Sequence, residues 1–288
     1  MRILLIINPA AGKGRTKNHI LKIKSFFSEM SCHLDIYETR KKGDALIKSR
    51  ESVNDYDIII AGGGDGTIND IVNGIANSKT KLGIIPLGTT NVFANEMGIP
   101  SDILESCKII YHCKTIKTDL GKVNDNYFLQ CAGIGFDASV LNEVQPILKK
   151  ILGFGAYTIV ALKKIINYKP PMMKLLLEGK EITAYFIIVS NLKSYGKIFQ
   201  ITPDARIDDG FLDVCLFEDK LDLINFIKNP PKIDFNKSIS FSNATCFKAR
   251  QVSITSPEDT LVQIDGDVVC KTPVTISVVP KSIEIICP

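Results

Sequence analysis

The sequence predicts two domains of different class, a Rossmann-like parallel α/β domain followed by an antiparallel β-sandwich. In the first part, short apolar runs alternate with stretches whose apolar residues recur at helical spacing, a pattern typical of a parallel sheet with helices on its faces. From residue 115 onward, strand-like runs follow one another at short intervals, which favours an antiparallel sandwich. We therefore predict domains at 1–117 and 118–288, and we allow the final strand to return to the first domain.

Composition is that of an ordinary globular protein. The chain has 288 residues, 45% hydrophobic content and a formal net charge of +4, so it is long enough to bury two cores. The charge is only mildly basic and no dense Lys/Arg run is interleaved with aromatic residues, which argues against a nucleic-acid partner. No run approaches the roughly 20 apolar residues that a membrane-spanning helix needs.

Eight cysteines are scattered along the chain without a C-x-x-C pair, and the three histidines lie far apart. This pattern predicts reduced thiols in the cytoplasm and argues against a zinc site. The apolar start, 1–7, is too short for a signal peptide and is ended by Asn8-Pro9, so we predict a first strand there.

The strongest functional signal is the segment 61–70, with the sequence AGGGDGTIND. It follows a β-branched apolar run and precedes an apolar stripe at helical spacing, so it is a strand-to-helix turn. Its glycines let backbone N–H groups approach a ligand closely, and the helix beginning near Thr67 adds a positive dipole end. Asp65 and Thr67 contribute a carboxylate and a hydroxyl. The segment indicates a phosphate site, with a glycine-rich turn that binds nothing as the alternative.

Two further loops have the same position relative to their strands. The first, 8–15, follows the first strand but lacks the Walker A spacing, and the other, 87–94, follows the fourth strand. Either loop alone could equally be a plain turn or a helix cap. Loops after parallel strands meet at one edge of the sheet, so we expect these three loops to converge there, together with the loop that begins at Thr39 after the second strand.

One apolar helix stands out in the second half. The segment 151–162 is strongly apolar and is flanked by Lys149-Lys150 and Lys163-Lys164. It could lie against a membrane surface or line an apolar pocket. Ordinary packing on the sandwich explains the residues equally well.

Together the motifs resemble the bacterial diacylglycerol kinase-like lipid kinases, which are relatives of sphingosine and ceramide kinases. The resemblance covers nearly the whole chain in the right order. The glycine-rich loop alone is shared with NAD kinases and phosphofructokinases, so the later blocks carry the specificity. The matching blocks are Asn8-Pro9…Gly12, Gly62 to Asn69, Pro86 to Ala94, Gly133 to Ala138, Pro203 to Asp213 and Gln263 to Asp267.

The resemblance implies an ATP-dependent kinase that transfers the γ-phosphoryl group to a lipid hydroxyl, with Mg²⁺ as a cofactor and the active site in the cleft between the domains. Glycine loops at helix N-termini suit such a reaction because it depends on positioned phosphates. Carried over onto this chain, the ATP-binding residues are Asn8, Pro9, Ala10, Ala11, Gly12, Thr39, Gly63, Gly64, Asp65, Gly66, Thr67, Ile68, Asn69, Gly88, Thr89 and Thr90.

The resemblance also points to three catalytic carboxylates. A base is expected at Asp265 or Asp267, and we favour Asp265 because Asp267 stands where the longer glutamate is common. In isolation, Asp265-Gly266 would be a plain turn. Asp65 is the nearest carboxylate to organise the Mg²⁺ that accompanies ATP.

A second, structural Mg²⁺ is implied in the sandwich. The resemblance maps it onto the carboxylate of Asp209 with the backbone carbonyls of Arg206 and Phe211. Without the resemblance, Asp209-Gly210 is simply a turn.

As partners, we expect a lipid substrate and a peripheral, transient contact with the membrane surface from the cytoplasm, and the family leans towards homodimers. The residues do not identify the lipid, because an apolar pocket discriminates poorly among apolar tails. Two alternatives stay open at this point, an NAD kinase and a non-catalytic module that binds lipid or nucleotide.

Overall fold

The computed structural model describes residues 1–12, 14–144, 159–161, 163–164, 168–177, 179–195, 199–219 and 244–288. The chain forms two compact units. One consists of 1–120 together with 280–288, and the other of 121–279.

The first unit alternates strands and helices. Its elements are β1 (Arg2–Ile7), α1 (Thr16–Glu29), β2 (His33–Glu38), α2 (Asp44–Ser52), β3 (Ile58–Gly63), α3 (Asp65–Ile75), β4 (Lys81–Pro86), α4 (Val92–Glu96), α5 (Ile103–His112) and β5 (Thr115–Val123), which runs to the boundary of the unit and beyond it.

The second unit is rich in strands. Its elements are β6 (Asn126–Phe128), β7 (Cys131–Ile134), α6 (Phe136–Glu143), β8 (Met173–Leu177), β9 (Lys180–Ala184), β10 (Phe186–Ser190), β11 (Ser194–Tyr195), β12 (Phe199–Gln200), β13 (Leu212–Phe217), β14 (Thr245–Ala249), β15 (Gln251–Thr255), β16 (Leu261–Ile264), β17 (Asp267–Lys271) and β18 (Val274–Ile286), whose residues from 280 onward belong to the first unit.

The sheet of the first unit is parallel. Strands β2, β1, β3 and β4 lie side by side in that order, and the end of β18 continues the sheet by pairing parallel to β4. Every residue of β3 is buried, as expected for a central strand with helices on both faces. Helices α1 and α5 contribute Ile23, Phe27 and Ile110 to the core beneath β1 and β3. The predicted α/β class is confirmed.

The second unit is an antiparallel β-sandwich, as predicted. One sheet has the order β14-β13-β10-β7-β16-β17, and the other joins β18, β15, β8 and β9. Their inner faces share one core, to which β10 and β13 contribute Val189 and Val214 from one sheet and β15 contributes Ile254 from the other. Helix α6 covers the opposite face of the first sheet, where its Phe136 and Val140 pack against β10 and β13.

The apolar segment 151–162 lies outside the described residues except for 159–161, which are helical. No helix in the described ranges is sufficiently long and apolar to cross a bilayer.

The prediction that all cysteines are reduced is wrong for one pair. Cys215 on β13 and Cys246 on β14 form a disulfide. The two residues are direct register partners on neighbouring antiparallel strands, with Cα atoms 4.2 Å apart. They are 31 residues apart in sequence, and only the pairing of the two strands brings them opposite each other. The remaining six cysteines are free.

We expect Gly74→Ala to destabilise the first unit. Alanine normally stabilises a helix relative to glycine by about 0.5–1 kcal/mol. Here a methyl group would overlap Ser49 Oγ and lie 2.9 Å from Ser49 Cβ and 3.0 Å from the amide nitrogen of Arg50, because α2 packs against α3 at this point. We expect a net loss of about 1–3 kcal/mol in the free energy of unfolding, measured by urea denaturation.

The matched control is Gly66→Ala in the same helix, where a methyl group would meet nothing within 4 Å. That variant should be as stable as the parent or more so. Equal stability of the two variants would contradict the assigned packing of α2 on α3.

Candidate active site

The three predicted loops of the first unit do converge, and their main chains are hydrogen-bonded to one another. The amide of Asn8 donates to the carbonyl of Gly62 at 2.9 Å, which joins the β1 loop to β3. The amide of Gly12 donates to the carbonyl of Leu87, and the amide of Leu87 to the carbonyl of Gly63, both at 2.9 Å. The ends of β1, β3 and β4 are therefore held as one assembly.

The loops after β3 and β4 touch backbone to backbone. A Cβ atom on Gly88 would lie 2.5 Å from the Cα of Gly64, and one on Gly64 would lie 3.2 Å from the Cα of Gly88. A side chain at Gly88 would therefore push the two loops apart. Glycine is therefore required at these two positions for the packing of the loops, whether or not a ligand binds there.

Asp65 ties the same two loops together through its side chain. It is the first residue of α3, and its carboxylate accepts hydrogen bonds from the amides of Val92 and Phe93 at 3.1 and 3.2 Å. Those amides open the short helix α4 and have no intrahelical acceptor. Asp65, from the loop after β3, thus caps the N-terminus of α4. Its position between two glycines in the sequence did not reveal this role.

The side chains of the glycine-rich segment divide between core and loop. Thr67 and Ile68 are buried, and the amides of both residues donate to the carbonyl of Gly64 at 3.0 and 3.1 Å. The side chain of Ile68 therefore belongs to the core of the unit rather than to the surface of the loop. Asn69 lies one turn from Asn73, whose side-chain amide donates to its carbonyl and to its side-chain oxygen.

The first loop is organised around Asn8, whose side-chain oxygen accepts a hydrogen bond from the amide of Ala10 at 2.9 Å. Thr16, at the start of α1, donates from its hydroxyl to the carbonyls of Pro9 and Ala11 at 3.1 and 3.3 Å. Thr39 lies beside this loop, because its amide donates to the carbonyl of Ile7 at 2.9 Å. The predicted residues around β1 are brought together.

The loop after β4 contains a residue absent from the predicted set. Asn91 has a positive φ of 48°, donates from its side-chain amide to the carbonyl of Gly88 at 3.0 Å, and has a buried side-chain oxygen without a hydrogen-bond partner among the described residues. Thr89 is exposed, and the carbonyl of Thr90 accepts from the side chain of Asn95. The position of Asn91 directly before a helix was the signal that could have identified it.

In the second unit, Asp265 has a structural task. Its carboxylate accepts three backbone hydrogen bonds, from the amides of Leu129, Gln130 and Cys131 at 2.9, 2.9 and 3.0 Å. Asp265 itself has a positive φ of 47°, which aspartate tolerates better than most residues. Both carboxylate oxygens are thus engaged by donors that shape the start of β7.

Asp267 lies two residues further on, at the start of β17, and is exposed. Between the two carboxylates, Gly266 has a φ of 91°, so the chain turns sharply there. The predicted pair of acids therefore has two different environments, since Asp265 is hydrogen-bonded to the main chain at 129–131 and Asp267 is exposed.

A buried polar network supports this turn from behind. The side chain of Gln263 accepts a hydrogen bond from the amide of Gly266 at 2.9 Å and donates to the carboxylate of Asp137 at 2.9 Å. The hydroxyl of Tyr195 donates to the same carboxylate oxygen. Burial raises the pKa of Asp137, although its hydrogen bonds to Tyr195 and Gln263 favour the ionised form.

At the predicted structural Mg²⁺ site, the carboxylate of Asp209 is already engaged by partners from the chain itself. One oxygen of Asp209 accepts from the amide of Phe211 at 3.0 Å, and the other accepts from the ammonium group of Lys248 at 2.7 Å. A cation is therefore already provided by the chain. In the part of the chain that the structure describes, no cluster of three or more His, Cys, Asp or Glu side chains could hold a metal ion.

Comparison with known proteins agrees with this fold. Residues 2–123 match the model of the diacylglycerol kinase catalytic domain, and residues 131–287 match that of the YegS C-terminal NAD kinase beta sandwich-like domain. The chain therefore belongs to the diacylglycerol kinase-like family of lipid kinases, and it is a kinase-like enzyme. This confirms the resemblance from which the site residues were predicted.

Individual relatives match over nearly their full length. The chain is 31% identical to the diacylglycerol kinase of Bacillus subtilis (strain 168) over 92% of this chain and 89% of that one. It is 29% identical to the diacylglycerol kinase of Staphylococcus carnosus (strain TM300), over 100% of this chain and 95% of the relative. A crystal structure of a diacylglycerol kinase from Bacillus anthracis str. Sterne superimposes with a TM-score of 0.76 at 26% identity, covering 100% of this chain and 97% of that one.

We expect Asp65→Ala to lower the free energy of unfolding by about 1 kcal/mol, because the amides of Val92 and Phe93 lose their acceptor. Hydrogen exchange should rise at residues 88–93. The matched control is Asp102→Ala, which removes the N-cap of α5, where Asp102 accepts from the amides of Leu104 and Glu105. Asp102→Ala should lower the free energy of unfolding by a similar amount without changing hydrogen exchange at 88–93. Faster exchange at 88–93 in both variants would contradict a specific link between Asp65 and that loop.

Proposed function

We propose that this chain transfers the γ-phosphoryl group of ATP to a hydroxyl of diacylglycerol or a similar lipid. The observation that carries the proposal is the convergence of three glycine-containing loops at the ends of β1, β3 and β4, next to the N-terminus of α3. Such an assembly suits a polyphosphate, because backbone amides and a helix dipole both favour negative charge. The relatives named diacylglycerol kinase support the choice of acceptor.

In this proposal the nucleotide is bound by the predicted residues, which run from Asn8 to Gly12, through Thr39 and from Gly63 to Asn69, and end with Gly88 to Thr90. Mg²⁺ arrives with the ATP phosphates as part of the substrate and neutralises their charge. It keeps most of its waters in such complexes. Each oxygen of Asp65 has a further lone pair beside the one used for an amide, so the carboxylate can accept hydrogen bonds from those waters.

For the base, we infer Asp267 in place of Asp265. The carboxylate of Asp265 already accepts three backbone hydrogen bonds, and a proton on either oxygen would weaken that anchor. Asp267 is exposed next to a turn that Gln263 holds. The side chain of Asp267 is shorter than the glutamate that is common in the family. It can reach the lipid hydroxyl only if that hydroxyl lies close to this turn.

The proposed reaction needs few chemical groups. The lipid hydroxyl oxygen forms a bond to the γ-phosphorus as the bond from that phosphorus to the β,γ-bridging oxygen breaks, and ADP leaves. Asp267 accepts the hydroxyl proton as the new bond forms. The remaining contribution is the fixed placement of both substrates, which is the largest part of catalysis for a loose phosphoryl-transfer transition state.

We further propose that the protein acts in the cytoplasm at the membrane surface without crossing it. The lysine-flanked apolar segment 151–162 and the net charge of +4 support a weak attraction to an anionic bilayer. In the described part of that segment, Ile159 is 52% exposed. A homodimer stays a prediction.

An NAD kinase is the rival worth testing, because the matched sandwich model is described as NAD kinase-like. The assay incubates the purified chain with γ-labelled ATP and Mg²⁺. One set of reactions contains diacylglycerol, ceramide, sphingoid base or phosphatidylglycerol in mixed micelles, and a parallel set contains NAD. Mass spectrometry identifies any labelled product. We expect label in a lipid monophosphate, and label in NADP with none in lipid would overturn the proposal.

We expect Asp267→Asn to lower turnover by roughly 10² or more, because the amide keeps the size of the side chain but cannot accept the proton. Its melting temperature and its affinity for ATP should match those of the parent. Asp265→Asn should instead reduce stability by about 1–3 kcal/mol, since one backbone donor would face an NH₂ group.

Both variants are measured by steady-state kinetics and thermal melting. A folded Asp265→Asn enzyme with a larger loss of turnover than Asp267→Asn would return the role of base to Asp265.

A further inference from the structure

Lys248 lies between two carboxylates of the sandwich. Its ammonium nitrogen is 2.7 Å from Asp209 Oδ2 and 3.3 Å from Asp213 Oδ2. Asp213 on β13 is the direct register partner of Lys248 on β14, whereas Asp209 belongs to the turn that precedes β13. One cation thus links a turn to a pair of antiparallel strands.

The two carboxylates need a positive partner. Their side chains are only 21% and 12% exposed for Asp209 and Asp213, while that of Lys248 is 36% exposed. Two partly buried negative charges on one side of a strand pair repel each other and lose hydration, and a cation between them offsets both effects. The disulfide between Cys215 and Cys246 is the next same-face pair along the two strands, so strand pairing places the lysine accurately.

The Asp209 carboxylate has two structural tasks at once. Its Oδ1 accepts from the amide of Phe211 and so closes the turn around Gly210, which has a φ of 77°. Its Oδ2 faces the ammonium group. A divalent ion bound at this carboxylate would lie a few ångströms from the ammonium charge and be repelled by it.

We propose that the Lys248 ammonium is the built-in cation of this turn and takes the place that a structural divalent metal would otherwise fill. The chain carries its own positive charge at Asp209 and needs no metal there to join the 206–211 turn to β13 and β14. The proposal is independent of the catalytic reaction, because none of these residues belongs to the proposed nucleotide loops or to the Gln263 to Asp267 turn.

The test compares the full chain with Lys248→Met in the absence of nucleotide. Methionine keeps an apolar stem like that of lysine but lacks the terminal ammonium group, which leaves Asp209 and Asp213 open to a metal ion. Thermal melting is measured in EDTA and in millimolar Mg²⁺, and bound Mn²⁺ is counted by electron paramagnetic resonance. Lys271→Met is the matched control. The ammonium group of Lys271, at the end of β17, also forms an ion pair, but with the exposed carboxylate of Asp259.

We expect the parent chain and Lys271→Met to melt within about 1 °C of the same temperature in EDTA and in Mg²⁺. Lys248→Met should melt about 3 °C or more below the parent in EDTA, recover in Mg²⁺, and bind one Mn²⁺ more than the parent does. If Lys248→Met does not fold in either buffer, Lys248→Gln replaces it, with the same expectations.

Two results would overturn the proposal. One is a parent chain that is stabilised by Mg²⁺ to the same extent as the Lys248 variant, or that already binds the additional Mn²⁺. The other is a folded Lys248 variant that shows neither a lower melting temperature in EDTA nor a response to divalent ions.

Discussion

The close approach of Gly64 and Gly88 is the constraint on which the candidate nucleotide site depends. Because neither residue has a side chain, the loops after β3 and β4 meet at backbone distance. Hydrogen bonds between main-chain groups then connect both loops with the one after β1. The three loops are thereby fixed beside the N-terminus of α3, whose dipole favours negative charge.

Carboxylates in the recognised motifs serve the architecture as well as the chemistry. Asp65 caps α4 from a neighbouring loop, Asp265 gathers three amides before β7, and Asp209 closes a turn. In each case an acid sits where backbone donors would otherwise lack an acceptor. A motif residue of this kind can be indispensable without touching the reacting atoms, and loss of activity on its substitution does not by itself assign a catalytic role.

The contact of Lys248 with Asp209 illustrates that a fold can neutralise a partly buried carboxylate in two ways. A turn that presents a carboxylate beside another acid requires a positive charge, which a metal ion or an ammonium group can supply. A side chain is covalently attached and loses only rotamer freedom on binding. The choice depends on which residue stands opposite Asp213 on β14, and that position is set by strand register.

The sequence by itself determined the two fold classes, the family and the position of the three candidate nucleotide loops, because hydrophobic period and glycine-rich turns are local signals. Tertiary structure alone decided three other matters. It set the pairing of Cys215 with Cys246, the different environments of Asp265 and Asp267, and the placement of Lys248 against Asp209. Each depends on strands or turns distant in sequence meeting in one register, and no local pattern of residues encodes which atoms will then face each other.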